Sequence, residues 1–264
     1  MNWSFGDDPT SSLAKKIIHN YYNDRSLVVI VHGDPRIGKS GYAFKAVVQA
    51  FNFLFGWEDL RRIYDNTMGY DPLDVISKWR RVLRPTHPDP KFRTNKLPAF
   101  IWDDGGVYLF NQDYNKPTVK NVMKYFQIVF TKVQVIIITT PTPKVITAGL
   151  RAMPSAVWLK VMRSRGTDKI LAELPNAERY SRYARLYQPF MSPDLKTLRV
   201  WRDFHEKFDC RFPNDIYDRY QPEREGYLTE LEDTIELELR ADVRKKRDMQ
   251  QKRIDALNKV EPEV

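Results

Sequence analysis

An α/β fold built on a parallel sheet is what this sequence predicts, and three observations carry that expectation. Apolar runs recur at Leu27–Val31, Ala99–Trp102 and Val133–Thr140, each short enough for a strand and too uniformly apolar to face water on either side. Helix-patterned stretches separate them, as a chain crossing back to start each parallel strand requires. Between the first run and its following helix stands Gly33-Asp34-Pro35-Arg36-Ile37-Gly38-Lys39-Ser40-Gly41, which fits G-x-x-x-x-G-K-[ST] in a strand-before, helix-after context.

That loop is the strongest chemical signal in the chain. Gly33 and Gly38 let the backbone turn so that successive N–H groups point inward at phosphate oxygens. Lys39 is expected to reach the β- and γ-phosphates, and Ser40 to give a hydroxyl to Mg²⁺. A helix over 39–53 adds the positive end of its dipole to the same place. Residues 33 to 41 are therefore the candidate nucleotide-binding segment, with ATP and Mg²⁺ as the expected ligands.

The remaining elements follow in order. Asp8-Pro9-Thr10-Ser11-Ser12 starts a short helix ahead of the first strand, with His19 as a structural or surface residue. Asp71-Pro72 opens another helix, its stripe formed by Leu73, Val75, Ile76, Trp79 and Val82. Residues 84–98 hold four prolines among polar and basic residues and read as a loop. Lys91, Arg93 and Lys96 in that loop are candidates for touching phosphate, with a solvated connection as the equal alternative. Ala99–Asp104 is a strand delivering two carboxylates to its C-terminal end, where parallel sheets gather ligands. Asp103 is the candidate metal ligand beside Ser40. Asp104 is the candidate base for an attacking water. Gly105-Gly106 turns the chain away sharply. A helix over 118–130 leads into Val133–Thr140, where Thr139 or Thr140 can reach between phosphate and the acid. Pro143–Met153 reads as a short helix ending at Arg151, and Ser155–Val161 as a further strand. Arg163 and Arg165 fall in a turn joining that strand to residues 169–174 as an antiparallel hairpin. In residues 176–189 tyrosines interleave with arginines, a pattern that suits base stacking and phosphate pairing and equally an amphipathic strand or helix. Residues 195–208 read as helix. A final helix beginning near Glu223 is acidic in its first half and basic in its second.

Bulk composition narrows the setting. A net charge of +9 points to a polyanionic partner, nucleic acid before an anionic membrane. With Cys210 as the one cysteine, neither an intrachain disulfide nor a cysteine-cluster zinc site can form, which fits a reducing, cytoplasmic setting. The first twelve residues lack the basic segment and apolar core of a signal peptide. No apolar run approaches the roughly 20 residues of a membrane span.

Taken together, the phosphate loop, the acid-tipped strand, the Thr-tipped strand and the arginine before the next strand resemble P-loop ATPases of the additional-strand group, with AAA+ proteins the nearest kind. The compact layout, aromatic richness and basic charge are similar to ATPases encoded by archaeal viruses and plasmids. The resemblance covers residues 26–162. It implies a parallel-sheet P-loop NTPase core with helices on both faces over residues 1–190, and a small, mostly helical region with a basic tail over 191–264. It further implies Mg²⁺-dependent ATP hydrolysis and assembly into a homo-oligomer. Lys39, Asp104, Thr140 (or Thr139) and Arg151 would be catalytic, Asp103 and Ser40 would bind the metal, and Arg151 would be the arginine finger, with Arg163 and Arg165 as substitutes. The chain departs from the AAA+ pattern in carrying Asp104 where glutamate is usual, and in lacking a clear second sensor arginine. Action on DNA in replication initiation, remodelling or translocation is the first functional expectation. A DNA-packaging or transfer motor and a slowly hydrolysing nucleotide switch stand beside it. A small-molecule kinase is disfavoured by the acid pair and by the absence of an Arg-rich lid.

Overall fold

The computed structural model describes residues 9–81, 86–92, 94, 96–110, 116–151, 153–163, 182–191, 198–208 and 212–258. Contacts divide the chain into two units, Met1–Tyr217 and Asp218–Val264.

The first unit is organised on a seven-stranded sheet. Its strands are β1 (Leu27–His32), β2 (Met68–Gly69), β3 (Leu97–Trp102), β4 (Val133–Thr140), β5 (Ala156–Arg163), β6 (Arg182–Met191) and β7 (Leu198–Phe208). The order across the sheet is β2-β3-β4-β1-β5-β6-β7. From β2 to β5 every pairing is parallel, and β6 and β7 extend the sheet as an antiparallel pair. β1, β3 and β4 are mostly apolar because both faces are covered. All eight residues of β4 are buried.

Alternation along each strand sends side chains to opposite faces, and different helices meet them. α1 (Ser12–Tyr22) and α2 (Lys39–Phe55) pack side by side on one face. α2 is apolar on nearly every side, from Ala43 and Phe44 through Phe51 to Leu54, as a helix that packs on the sheet and on α1 and α3 must be. α4 (Pro72–Arg81) and α5 (Pro117–Val129) cover the other face. There the Trp102 ring stacks on Phe126 at 6.0 Å, and Trp79 stacks on Tyr125 at 5.6 Å. α3 (Leu60–Thr67) was not apparent in the sequence. It starts at Asp59, whose carboxylate accepts from the N–H groups of Arg61 and Arg62. α6 (Ala148–Arg151) is a single turn before β5.

Four expectations need correction. Within the stretch 195–208, Leu198–Phe208 is not helical but forms β7, paired antiparallel with β6, while residues 195–197 lie outside the described residues. Nor does the last helix begin near Glu223. α7 (Asn214–Asn258) starts nine residues earlier and runs through Pro222. The hairpin partner of β5 is β6, while residues 164–181, including Arg165 and the segment 169–174, lie outside the described residues. The expected domain boundary stood at 190/191. The sheet continues past that point through β7, and the division by contacts falls after Tyr217.

β7 is tied to the start of the chain and to α2 through Glu206. Its carboxylate accepts from Ser11 Oγ at 3.1 Å, from the Ser12 N–H at 2.6 Å and from the Tyr42 hydroxyl. It thus places negative charge at the N-terminus of α1, whose Ser11 makes no side-chain cap of its own. The Tyr42 ring also packs on Phe208, with centroids 4.6 Å apart. Burial and the neighbouring carboxylate hold the Tyr42 hydroxyl far above the ordinary tyrosine range, so it stays a donor.

The second unit lies in α7 from Asp218 onward. Ile235, Leu237, Leu239, Val243, Met249 and Ile254 are exposed along it. Among the described residues no helix is long and apolar enough to cross a membrane.

Candidate active site

The loop after β1 owes its shape to positions that only certain residues can fill. Gly33 has φ +148°, and a Cβ there would lie 2.3 Å from the Val161 carbonyl oxygen. Glycine therefore lets the loop lie flush against β5. Gly38, at φ +94°, is the N-cap of α2 in the left-handed region, and Arg36 also sits at positive φ. Ile37 is buried and pins the loop from beneath, and Gly41 is buried where α2 enters the core. The Gly33 N–H donates to the Pro141 carbonyl at 3.2 Å, tying the loop's first residue to the exit of β4. Lys39 is 9 % exposed, and its Nζ donates to the carbonyls of Gly33 and Asp34, each at 2.9 Å.

Opposite the loop, β3 ends at Trp102, and the two acids stand in the turn beyond it. Asp103 is completely buried. Its Oδ1 accepts from Ser40 Oγ and from Thr139 Oγ1, both at 2.6 Å. Its own N–H donates to Gly69 O, anchoring the turn to β2. Asp104 is only partly buried and takes φ +51°, a left-handed conformation that aspartate tolerates better than most residues. Its N–H donates to Thr139 Oγ1 at 2.8 Å. One threonine hydroxyl thus links both acids, giving its proton to Asp103 and receiving one from the Asp104 backbone.

No family model matches this chain, and no curated protein does. Among solved structures, a KaiC-like protein from the hyperthermophilic archaeon Pyrococcus horikoshii overlays 66 % of this chain and 89 % of its own. The two are 13 % identical, with a TM-score of 0.34. The P-loop fold class itself is legible in the sheet order and the loop.

The structure brings Ser40, Asp103, Thr139 and the backbone of Asp104 into one hydrogen-bonded group. Thr140 is not among them. It faces the other side of the sheet, where its Oγ1 donates to Thr142 O. A Cβ on Gly106 would meet Thr140 Oγ1 at 2.3 Å, and one on Gly105 would meet the Trp102 ring. Neither glycine is at positive φ. They are required for space, and Asp104 makes the left-handed turn.

Arg151 ends α6, half-buried, with an Nε that is buried and makes no hydrogen bond. Arg163 is the last residue of β5, in register with Arg182. Lys96 is at the wrong end of the sheet for the phosphate loop. It pairs with Asp24 at 2.7 Å beside the first residue of β3, about 20 Å of strand away from Asp103. Lys91 lies over the Phe92 ring at 5.8 Å, and Arg93 is outside the described residues.

One residue escaped the sequence reading. His32 closes β1 immediately before Gly33, and its pKa is pushed down to about 4 by burial, then by the charges of Lys160 and Lys39. Register places Thr140, His32, Lys160, Arg185 and His205 in one row across β4, β1, β5, β6 and β7. Lys160 and His205 are exposed, whereas Arg185 is half-buried with an Nε lacking a hydrogen-bond partner. The signal available beforehand was positional. A polar residue closing an apolar strand directly before a phosphate loop sits at the rim of the site.

The residues present fit a magnesium nucleotide. A serine hydroxyl and a buried carboxylate oxygen 2.6 Å apart are the hard oxygen donors Mg²⁺ takes. The loop beside them has the glycine-dictated turns and the lysine that suit a polyphosphate.

Proposed function

We propose that this chain is a Mg²⁺-dependent ATPase of the additional-strand, AAA+-like kind that acts on DNA as a homo-oligomer. The observation that carries the reading is the convergence of the Ser40 and Thr139 hydroxyls on one oxygen of buried Asp103, at the foot of the phosphate loop. A strand inserted between the loop strand and the acid-tipped strand, β4 between β1 and β3, supports the additional-strand assignment.

Each residue has a distinct task. Backbone N–H groups of residues 36–39 and the Lys39 ammonium would hold the phosphates, Lys39 exchanging its two carbonyl partners for them. Ser40 and Asp103 would hold Mg²⁺, which when bound neutralises charge on the transferring phosphoryl group. Thr139 fixes Asp103 and the Asp104 backbone, so the Asp104 carboxylate is presented from a rigid turn as general base for a water. Arg151 from a neighbouring copy would stabilise the γ-phosphate charge, and its orphaned Nε supports a role fulfilled only on assembly.

The row His32–Lys160–Arg185–His205 supports a polyanion as partner, because it leads from the loop to the antiparallel edge in a chain of net charge +9. ATP turnover measured with and without single- and double-stranded DNA, alongside mass determination with ATP, tests the proposal. Stimulation by DNA in an oligomer is expected, and turnover indifferent to DNA would remove the DNA part. Lys160→Glu should weaken DNA binding uniformly across sequences and lower its salt dependence. Mixing Lys39→Ala with Arg151→Ala chains should restore part of the lost activity. No recovery in a confirmed mixed oligomer would remove Arg151 from the neighbour's site.

A further inference from the structure

The unit from Asp218 onward is a helix whose apolar residues and charges are arranged about a single point. At 100° per residue, Leu228, Leu231, Ile235, Leu239 and Val243 fall within an arc of about 120°. In the structure Ile235 is 46 % exposed, Leu239 61 % and Val243 50 %. A helix that served only as a solvated strut would carry polar residues there. Intrahelical ion pairs such as Arg219–Glu223 and Arg240–Glu236 stabilise it without using that arc.

Charge identifies what covers the arc. Residues 226–239 hold five acids and no base, a net charge of −5. Residues 240–253 hold seven bases and two acids, a net charge of +5. Two such helices side by side in parallel would set like halves together. Antiparallel, each acidic half meets a basic half, twice.

We propose that the helix from residue 226 to residue 253 pairs with a second copy of itself as a two-fold, antiparallel coiled coil crossing at Leu239. That centre makes the surface self-complementary, as a two-fold contact requires. Residues equidistant from Leu239 face one another: Ile235 with Val243, Glu232 with Lys246, and Leu228 with Gln250. All six lie within about 40° of Leu239 around the helix. The Glu232–Lys246 pair recurs on both sides of the axis and fixes the register, whereas an in-register parallel pair sets Glu232 against its own copy. One like-charged pair, Glu236 with Asp242, falls at the flank, where solvent screens it. The pairing depends only on this helix and is independent of the ATPase reading.

The test uses the full chain without nucleotide or DNA, in sedimentation equilibrium at low salt. A species of twice the 31.2 kDa chain mass is expected. Leu239→Asp should weaken association by about 100-fold, because two unpaired carboxylates would meet at the crossing. Glu232→Lys should also dissociate the pair, and adding Lys246→Glu should restore it. These positions are 14 residues apart, about 21 Å along the helix, so only contact between copies explains rescue. With Cys210→Ser as background, Leu228→Cys and Gln250→Cys chains should form a disulfide with each other and neither with itself. A monomeric chain, a dimer indifferent to Leu239→Asp, or self-linking of Leu228→Cys chains would each overturn the proposal. So would a monomer whose DNA mobility shift is lost on Lys245→Glu and Lys246→Glu, which would make this half of the helix a nucleic-acid tail.

Discussion

The sheet of this protein has two halves that obey different rules. From β2 to β5 the strands are parallel, flanked by helices and largely apolar, and their order brings Ser40, Asp103 and Thr139 together at one rim. β6 and β7 are longer and antiparallel, and they mix charge and aromatic residues along their length. The parallel half assembles Ser40, Asp103 and Thr139 with no help from the wing. The antiparallel half then adds the Glu206 contact on α2 and the basic row beside His32. The Ser40–Asp103–Thr139 group belongs to the first half, whereas the Glu206 contact belongs to the second.

The sharpest way to break that division is to disable the rim alone. Asp104→Asn should cost about 10²–10⁴-fold in ATP turnover while nucleotide affinity survives. Asp103→Asn should instead weaken Mg²⁺-dependent nucleotide binding, measured by titration calorimetry. Equal loss of binding in both variants would make Asp104 structural. Lys39→Ala should lower turnover by about 10²–10³-fold with the thermal midpoint nearly unchanged. Wing variants should do the opposite. Tyr42→Phe removes a donor to the Glu206 carboxylate and should cost about 1.5–3 kcal/mol of stability, read by denaturant unfolding, with turnover per folded molecule little altered. A loss of turnover larger than the loss of folded protein would show that the two halves are not separable.

The smallest expected effect lies where the halves meet. The folded pKa of His32, about 4, is below its ordinary 6.5, so between those values the unfolded chain binds the proton and the folded chain does not. Stability is therefore full above pH 6.5 and declines as pH falls towards 4. Lys160→Met should reduce the slope and His32→Gln should abolish it, both followed by thermal unfolding across that range. A slope unchanged in His32→Gln would assign it to the carboxylates.

How much of this was legible in the sequence depended on whether a feature was local. The turn between β1 and α2 was legible, because the conformations that Gly33 and Gly38 take are properties of adjacent residues. β4 was legible to the residue. Which of its two terminal threonines meets Asp103 was not, because that depends on which face of β3 carries the acid into the turn, and Thr139 rather than Thr140 shares that face. β7 was misread as helix for a specific reason. Leu198, Trp201, Phe204 and Phe208 fall at spacings of three and four, which is also the period of a buried helical stripe. Its register with β6 is irregular at Leu186/Tyr187, so the alternation that marks a strand is broken as well. The Glu206 cluster spans about three quarters of the chain and had no local signature at all.

That cluster has a mechanical consequence. Tyr42 stands two residues after Ser40 on one rigid helix, and its hydroxyl and ring are both gripped by β7. A force applied to the outer hairpin is therefore delivered to the start of α2 without passing through the parallel strands. The lever works in both directions. If a load on the hairpin alters the grip on a nucleotide by some factor, the nucleotide must alter the hairpin's hold on that load by the same factor.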